Sequence, residues 1–220
     1  MNSIDTSKSG DLHDERTDYQ RDVLRRAKLD PSPLTMFGHW MEAARQHNII
    51  DATAMTLATV DENGQPSARI VLLKQYDEAG FCWYTNYESR KGCALAHNPG
   101  AALLFFWREF ERQIRIEGKV EKMTTEESDA YFNSRPAGSR YSAAASPQSQ
   151  TVTDQQWLET RVQSLENEFP LSELRRPDNW GGYRLRPETF EFWQGRPSRL
   201  HDRFRYQATP DGWQIDRLAP

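Results

Sequence analysis

Residues 190–206 read FEFWQGRPSRLHDRFRY, and this stretch decides how the rest of the chain is interpreted. Gly195 and Pro197 interrupt it, which predicts two β-strands joined by a loop longer than a tight turn. Side chains alternate along a strand, so the second strand has a cationic face and an apolar face, and the apolar face is expected to pack on a core. The cationic face carries Arg199, His201, Arg203 and Arg205, and the apolar face carries Leu200, Phe204 and Tyr206, with Asp202 among them.

The cationic face of this hairpin predicts a ligand-binding surface. On the first strand Phe190, Phe192 and Gln194 share one face, whereas Glu191 and Trp193 share the other. Guanidinium groups hold phosphate through charge-assisted hydrogen bonds, and they also stack on aromatic rings. A row of arginines beside Trp193 therefore suits a flat, anionic, aromatic ligand. The alternative is a solvated cationic strand at a sheet edge, where charge prevents aggregation.

The composition favours a small anionic ligand over a nucleic acid. The chain has 220 residues, enough for one sizeable core, with 37% hydrophobic and 11% aromatic residues. Its formal net charge is -4, which gives no general attraction for a polyanion. Six arginines are nevertheless concentrated between Arg184 and Arg205. A local cationic patch on an acidic protein indicates a small anion.

Cysteine content and hydropathy indicate a protein of a reducing compartment. Cys82 and Cys93 form no CxxC pair, so both are expected to be free thiols. The N-terminal residues form no apolar signal segment, and no apolar run approaches membrane-spanning length. We therefore expect a cytoplasmic protein without a membrane partner. His39 and His47 have no Cys or carboxylate cluster at metal-site spacing, which predicts no metal.

The order of predicted elements is that of an α+β protein built around an antiparallel barrel. A polar, mobile N-terminal arm is predicted over residues 1–30, and a single domain over 31–220. Asp61–Gly64 and Asp211–Gly212 predict turns between strands. The predicted elements are a helix over 34–47, strands over 54–60, 67–76, 81–87, 101–107 and 112–123, a helix over 124–133, a loop over 137–153, a core-covering helix over 154–169 and a closing strand over 213–218.

Three further groups of side chains are candidates for holding phosphate. Arg69 and Lys74 bracket an apolar run, but strict alternation places them on opposite faces. Either that strand is bulged or twisted, or the two residues serve different edges of a site. Each group also has an ordinary explanation, as strand-end charge, a capped surface helix or an arginine that matches a helix dipole. The groups are Arg69 with Lys74, Ser89 with Arg90 and Lys91, and Tyr131 with Arg135 and Ser139.

The C-terminal stretch resembles a known family. Glu191-Phe192-Trp193-Gln194, followed after four residues by Arg199-Leu200-His201-Asp202-Arg203, is similar to the C-terminal signature of the pyridoxamine 5′-phosphate oxidase family. By motif order the resemblance covers Pro33 to Pro220. It implies an FMN-binding split β-barrel and a homodimer, with two FMN molecules in clefts shared between the subunits.

The resemblance implies a set of cofactor-binding residues. The family's flavin-binding strand matches Arg69-Ile70-Val71-Leu72-Leu73-Lys74, in which Arg69 would meet the FMN phosphate. The run Ser142–Pro147 departs from the family pattern, which leaves the local backbone and packing open. One chain is expected to supply Arg69, Tyr84, Thr85, Arg90 and Lys91, and the other Gln113, Gln148, Ser149, Trp193 and Arg203.

The resemblance also implies the substrate-binding and catalytic residues. Arg199 would cover the substrate ring opposite the flavin, and His201 would hold or polarise its substituents. Arg16 and Tyr19 would fold over the substrate as a lid. The implied reaction oxidises pyridoxamine or pyridoxine 5′-phosphate at C4′ to pyridoxal 5′-phosphate, with FMN as hydride acceptor and O2 then giving H2O2. The substrate phosphate would be held by Lys74, Tyr131, Arg135 and Ser139.

Three other functions stay open at this point. The first is a different flavin enzyme on the same barrel, such as a flavin reductase with another electron donor. The second is a non-catalytic carrier of FMN or pyridoxal phosphate. The third is a nucleic-acid-binding module that uses the arginine strand, although the net acidity and the lack of spaced aromatic residues on that face argue against it.

Overall fold

One antiparallel sheet of nine strands and five α-helices make up the residues described by the computed structural model, which are His13 and 18–220. The element order confirms the predicted α+β class. The strands are β1 (Ala54–Val60), β2 (Pro66–Leu72), β3 (Gln75–Asp77), β4 (Gly80–Asn86), β5 (Gly100–Trp107), β6 (Arg112–Lys122), β7 (Trp180–Gln194), β8 (Asp202–Thr209) and β9 (Gly212–Leu218). The helices are α1 (Pro33–Gln46), α2 (Arg90–His97), α3 (Thr125–Ser134), α4 (Ala137–Ala145) and α5 (Gln155–Glu168).

Strand β7 is where the sheet divides. Along one edge it pairs with β6, from Tyr183 to Gln194. Along the other edge it pairs first with β4 and then, beyond a short gap, with β8. The remaining strands follow in the order β6, β5, β1, β2 on one side, and β3 and β9 complete the two branches. A sheet that curls and forks in this way is the predicted antiparallel split barrel.

Helix α1 fills one side of the barrel with aromatic side chains. Phe37 is fully buried and makes edge-to-face contacts with Phe81 and Phe105, while Trp40 packs against Phe192. Burying such a side chain contributes about 1.5–3 kcal/mol. The helix begins where the sequence predicts, because the Ser32 hydroxyl accepts the Thr35 N–H and proline occupies the first helical position.

The hairpin of residues 190–206 is confirmed, with one correction to its second strand. Phe192 pairs with Phe204 and Phe190 with Tyr206, and all four rings are buried. Leu200, however, is 69% exposed, so its predicted packing on the core is wrong. The cause is a 3-10 turn over Pro197–Arg199, which delays the start of β8.

The predicted row of four cationic side chains is also wrong. Arg199 lies in the 3-10 turn with a left-handed backbone, and His201 precedes the strand. Arg203 and Arg205 do share a strand face, but each pairs with a carboxylate. Arg203 bonds Glu191 at 2.7 Å, and Arg205 bonds Asp216 at 2.9 Å. The strand charge is therefore largely neutralised.

One prediction between residues 137 and 169 needs correction. Residues 137–145 form helix α4 instead of a loop, because alanine is the strongest helix former and Pro147 follows the helix end. Tyr141 anchors it by donating to the Phe169 carbonyl at 2.8 Å. Helix α5 is confirmed, and although none of its residues is fully buried, its half-buried Val162 and Leu165 pack against the core cluster that contains Phe132 and Trp180. Among the described residues, no helix combines the length and hydropathy needed to cross a bilayer.

Residues 18–30 lie against the barrel. The Leu24 N–H donates to Asp202 at 3.2 Å, and Asp22 pairs with Arg112 at 2.7 Å. The Tyr206 hydroxyl donates to the Asp30 carbonyl at 2.8 Å. The mobile arm over 1–30 and the single domain over 31–220 stay predictions. Arg16 lies outside the described residues.

A paired glycine test probes the β6–β7 pairing. A Cβ on Gly118 would lie 2.0 Å from the Arg186 carbonyl oxygen, at the point where the register of the two strands shifts. Gly118→Ala should therefore lower the free energy of unfolding by about 1–3 kcal/mol. A Cβ on Gly138 in α4 would meet no atom within 4 Å. Gly138→Ala should therefore raise the free energy of unfolding by about 0.5–1 kcal/mol. Urea denaturation at equal protein concentration measures both, and equal stabilities would contradict the close strand approach.

Candidate active site

A cleft of about 380 Å³ lies where the end of β2, strand β4, the α3–α4 junction and the start of β7 meet. Eleven of its thirteen lining residues were predicted as site residues from the sequence. The two additions are Pro136 and Trp180. The predicted residues that line it are Ile70, Val71, Leu72, Lys74, Tyr84, Thr85, Lys91, Tyr131, Arg135, Ser139 and Gln148.

A break between β2 and β3 separates Arg69 from Lys74. Strand β2 ends at Leu72, after which the Lys74 N–H bonds the Cys82 carbonyl of β4 at 2.9 Å. Lys74 thereby reaches the cleft, while the Leu73 side chain is buried in the core. The Arg69 guanidinium donates instead to the Leu57 carbonyl and to the Thr59 and Ser67 hydroxyls. Arg69 and Lys74 therefore lie apart, and of the two only Lys74 lines the cleft.

Three cations gather at the edge of the cleft nearest α2. The Lys91 ammonium group is buried and donates to Thr85 Oγ1, Ser89 Oγ and Gln148 Oε1 at 3.0–3.1 Å. Burial and the neighbouring Arg69 lower the pKa of Lys91 to about 8. Burial and the charge of Arg90 likewise lower the pKa of Arg69. None of these recorded partners is a carboxylate, so this cluster has positive charge available for an anion.

The start of helix α2 adds a second source of positive potential. Ser89 caps the helix by accepting the Gly92 N–H, and Arg90 and Lys91 occupy the first helical turn. A Cβ on Gly92 would lie 2.1 Å from the Tyr87 carbonyl oxygen, so glycine allows the helix to begin this close to β4. Free N–H groups at a helix start bind phosphate well. The helix start and the cation cluster therefore add positive potential to the same edge of the cleft.

The α3–α4 junction gathers a second group of hydrogen-bond donors beside the cleft. Arg135 ends α3, and its Nη1 is buried without a hydrogen-bond partner. Burial raises the pKa of Tyr131, which keeps its hydroxyl protonated as a donor. Ser139 lies at the start of α4 and Lys74 faces the same cleft. An unpaired guanidinium edge with a phenol, a hydroxyl and an ammonium group suits a phosphate monoester.

Three stacked rings form a flat wall of the cleft. Tyr84 and Tyr131 lie 3.7 Å apart at an angle of 13°, and Trp180 lies parallel to both. Burial raises the pKa of Tyr84 to about 12. Sequence reasoning missed Trp180. The sequence did contain a sign that the chain passes close to the site here, namely the pair Gly181-Gly182 that follows Trp180. A Cβ on Gly182 would lie 2.9 Å from the Tyr84 ring.

A second group of predicted residues surrounds the 3-10 turn after β7. Tyr19 makes edge-to-face contact with Trp193 at 5.6 Å, and His201 lies 4.7 Å from the same indole. The Arg196 N–H donates to His201 Nδ1 at 3.1 Å. Burial and the charges of Arg199 and Arg203 lower the pKa of His201, so its imidazole is neutral with Nε2–H as donor. The Arg199 side chain is exposed.

Two more predicted residues are cross-strand neighbours of Trp193 in this second group. Gln113 of β6 pairs with Trp193 of β7, which pairs with Arg203 of β8. Gln148, by contrast, bonds Thr85 and Lys91 of the first group in the same chain. The expectation that Gln148 comes from the other chain than Lys91 is therefore wrong. Ser149 follows in an exposed turn with φ 74°.

The two groups lie at opposite ends of one strand. Trp180 begins β7 and Trp193 lies thirteen positions further on, next to its end. At the rise of an extended strand, this corresponds to a path of about 40 Å. The two groups are therefore separated by nearly the whole length of β7.

Two family models match consecutive parts of the chain. The model described as pyridoxamine 5′-phosphate oxidase matches residues 41–168, and that described as the pyridoxine 5′-phosphate oxidase C-terminal dimerisation region matches residues 180–220. The second match contains the hairpin with Trp193 and His201.

Curated relatives and solved structures agree with these matches. Pyridoxine/pyridoxamine 5′-phosphate oxidases of Burkholderia thailandensis and a Cyanothece strain are 55% and 51% identical, over 95% of this chain and 99% and 98% of theirs. PhzG of Burkholderia lata, solved with tetrahydrophenazine-1-carboxylic acid, has a TM-score of 0.83 at 30% identity, covering 90% of this chain and 98% of that chain. An FMN-binding protein of Nostoc punctiforme shares the fold, with a TM-score of 0.69 at 17% identity over 88% of this chain and 99% of that one.

Together, the matches to both family models and the identity of more than half over 95% of the chain show that it belongs to the pyridoxine/pyridoxamine 5′-phosphate oxidase family, which is a family of FMN-binding oxidoreductases with a split-barrel fold and a dimerisation region.

Proposed function

We propose that the protein oxidises pyridoxamine and pyridoxine 5′-phosphate to pyridoxal 5′-phosphate, with FMN as cofactor and O2 as acceptor, releasing H2O2; the amine substrate also consumes water and releases ammonia. The observation that carries this proposal is the pair of separate anion-binding groups on one cleft with an aromatic wall. Two phosphorylated flat molecules need two such groups. Held at both phosphates, their rings meet in a fixed geometry instead of by chance encounter.

The residues present fit the phosphate of FMN. Arg69, Arg90 and Lys91 lie together, and none of the recorded contacts of Lys91 is with a carboxylate. Thr85 and Gln148 position the Lys91 ammonium group through hydrogen bonds. When bound, FMN supplies the two-electron acceptor for the oxidation. The chain supplies charge, hydrogen bonds and orientation.

The α3–α4 junction fits the phosphate of the substrate. Arg135 offers an unpaired Nη1, and Tyr131 offers a protonated phenol. Ser139 and Lys74 line the same cleft and add a hydroxyl and an ammonium donor. A phosphate dianion bound here gains several charge-assisted hydrogen bonds. This group selects for a phosphorylated substrate, because without an anion the Arg135 edge stays unsatisfied.

A second copy of the chain completes the site in this proposal. Arg199 and His201 follow the end of β7, whereas the cleft lies at the start of that strand, so in this proposal they act at the partner's cleft. The matched dimerisation region contains both residues. The outer sheet face also carries exposed apolar side chains suited to an interface, with Ile70 64% and Phe106 50% exposed.

At the shared site, the two residues have different tasks. The exposed Arg199 guanidinium covers the substrate ring and keeps water from it. The neutral His201 donates its Nε2–H to a ring substituent, since Nδ1 already accepts the Arg196 N–H. Neither task requires a strong general base.

A second candidate is oxidation of a reduced phenazine carboxylate. The likeness to PhzG, at 30% identity and a TM-score of 0.83, favours it. The higher identity to the curated oxidases and the group around Arg135 favour a phosphate ester. A substrate without phosphate would leave that group unused.

The proposal predicts a yellow protein that releases FMN on denaturation and forms peroxide with pyridoxamine 5′-phosphate. Peroxide and pyridoxal 5′-phosphate should appear in equal amounts, and unphosphorylated pyridoxamine should react far more slowly. A panel containing pyridoxine 5′-phosphate, NADH and a reduced phenazine carboxylate separates the candidates. Flavin binding without turnover of any of these would favour a carrier and contradict the proposal.

Arg199 and His201 are expected to differ in their effect on turnover. Arg199→Ala removes charge-assisted contacts and should lower kcat/KM by about 10- to 100-fold. His201→Ala removes a neutral hydrogen bond and should cost about 3- to 10-fold. Arg205→Ala, which breaks only the outer pair with Asp216, is the control. Steady-state peroxide release measures all three, and an Arg199→Ala variant with wild-type kinetics would sink the assigned role.

FMN affinity should fall as the pH rises above about 8. The pKa of Lys91 is lowered to about 8 in the free cleft, so the ammonium group loses its proton above that pH. A bound phosphate raises this pKa again, so binding takes up a proton and weakens by up to about tenfold per pH unit. Quenching of FMN fluorescence by the apoprotein between pH 7 and 9.5 measures the slope. Lys91→Met should flatten it, whereas exposed Lys119→Met should retain it.

A further inference from the structure

Trp180, a member of the aromatic wall, also lies beside the residues proposed to hold the substrate phosphate. Its side chain is 6% exposed and lines the cleft. The Arg135 guanidinium carbon lies 4.7 Å from the centre of the indole ring. This is the distance of a cation–π contact, which is strongest for tryptophan.

The indole ring is the main recorded contact of the Arg135 guanidinium. Its Nη1 is buried without a hydrogen-bond partner, and no ion pair to it is recorded among the described residues. The neighbouring Arg176 differs, because Asp129 and the Trp180 carbonyl bind it at 2.6 Å. A carboxylate partner would orient Arg135 but also neutralise it. A ring face orients the guanidinium while its charge and its N–H edge remain available for an anion.

Trp180 is itself firmly held. The backbone N–H of Trp180 donates to the Pro177 carbonyl at 3.0 Å, and its backbone carbonyl accepts from the Arg176 guanidinium. Its ring lies at 4° to Tyr131 and packs edge-on against Phe132 at 5.4 Å. A ring fixed on several sides provides a rigid platform for the arginine stacked on it.

We propose that Trp180 is a positioning residue for the substrate phosphate. Its indole face holds the Arg135 guanidinium so that the unpaired N–H groups face the anion. This rests on the proposed function only in naming the anion as the substrate's phosphate. The effect should appear in binding and hardly in the chemical step, because Trp180 acts through a group that holds the non-reacting end of the substrate.

Trp180→Leu should raise KM for pyridoxamine 5′-phosphate roughly tenfold, from the loss of a partly desolvated cation–π contact, with kcat changed less than about twofold. Trp180→Phe keeps a weaker ring and should recover most of the affinity. Trp157→Leu is the matched control, since Arg161 stacks on Trp157 at 5.0 Å outside the cleft. The control should leave KM unchanged. A kcat loss with constant KM in Trp180→Leu would overturn the proposal.

A double-mutant cycle tests whether Trp180 acts through Arg135. In an Arg135→Gln background, Trp180→Leu should cause little further loss, whereas independent effects of the two changes would overturn the proposal. If Trp180→Leu does not fold, Trp180→Phe replaces it in the cycle. Trp180→Phe should lower the substrate affinity about two- to threefold when Arg135 is present, and should have no effect in the Arg135→Gln background.

Calorimetric titration of the FMN-loaded protein with inorganic phosphate separates this proposal from the function. A wild-type protein that binds phosphate but does not oxidise pyridoxamine 5′-phosphate would sink the proposed function alone. Phosphate affinity that is equal in wild type and Trp180→Leu, with equal FMN content, would sink the role of Trp180 alone.

Discussion

The pairing of β7 with β6 along most of its length is the constraint on which the rest of the structure depends. It keeps one continuous strand that serves two branches of the sheet, with β4 at its start and β8 at its end. The start of the strand places Trp180 in the cleft, and its end places Trp193 beside His201. Because both site groups depend on this strand, a change in its register would displace them together.

The sequence predicted those parts of the fold that short-range chemistry determines. The turn at Asp61–Gly64 is set by a left-handed glycine at Gly64, and the start of α3 by a capping box between Thr124 and Glu127. Helix α4 was missed because an Ala/Ser-rich run is equally typical of loops. Its helical state also depends on distant contacts such as Tyr141 with Phe169. The exposed Leu200 was missed because the turn before it requires left-handed backbone at Ser198, which no glycine announces.

The candidate site was predicted best where residues follow one another in a motif. The residues around Lys74, Lys91 and Arg135 are indeed brought together in one cleft. The sequence could not tell which cations have partners. Arg203 is paired with buried Glu191, whereas Arg135 is left unpaired on an indole ring. That difference arises from contacts between distant segments, and it decides which charge is available to a ligand.

The distance between the two site groups links cofactor binding to assembly. If one site takes residues from the start of β7 in one chain and from its end in another, a lone chain holds only half of each site. A ligand that contacts both halves binds the dimer more tightly than the monomer, and so it stabilises the dimer by mass action. Linkage is reciprocal, so the dimer in turn binds that ligand more tightly. The repulsion between Lys91 and the neighbouring Arg69 acts in the same direction, because a bound phosphate offsets it. Folding, dimer formation and ligand binding would then be coupled through a single strand.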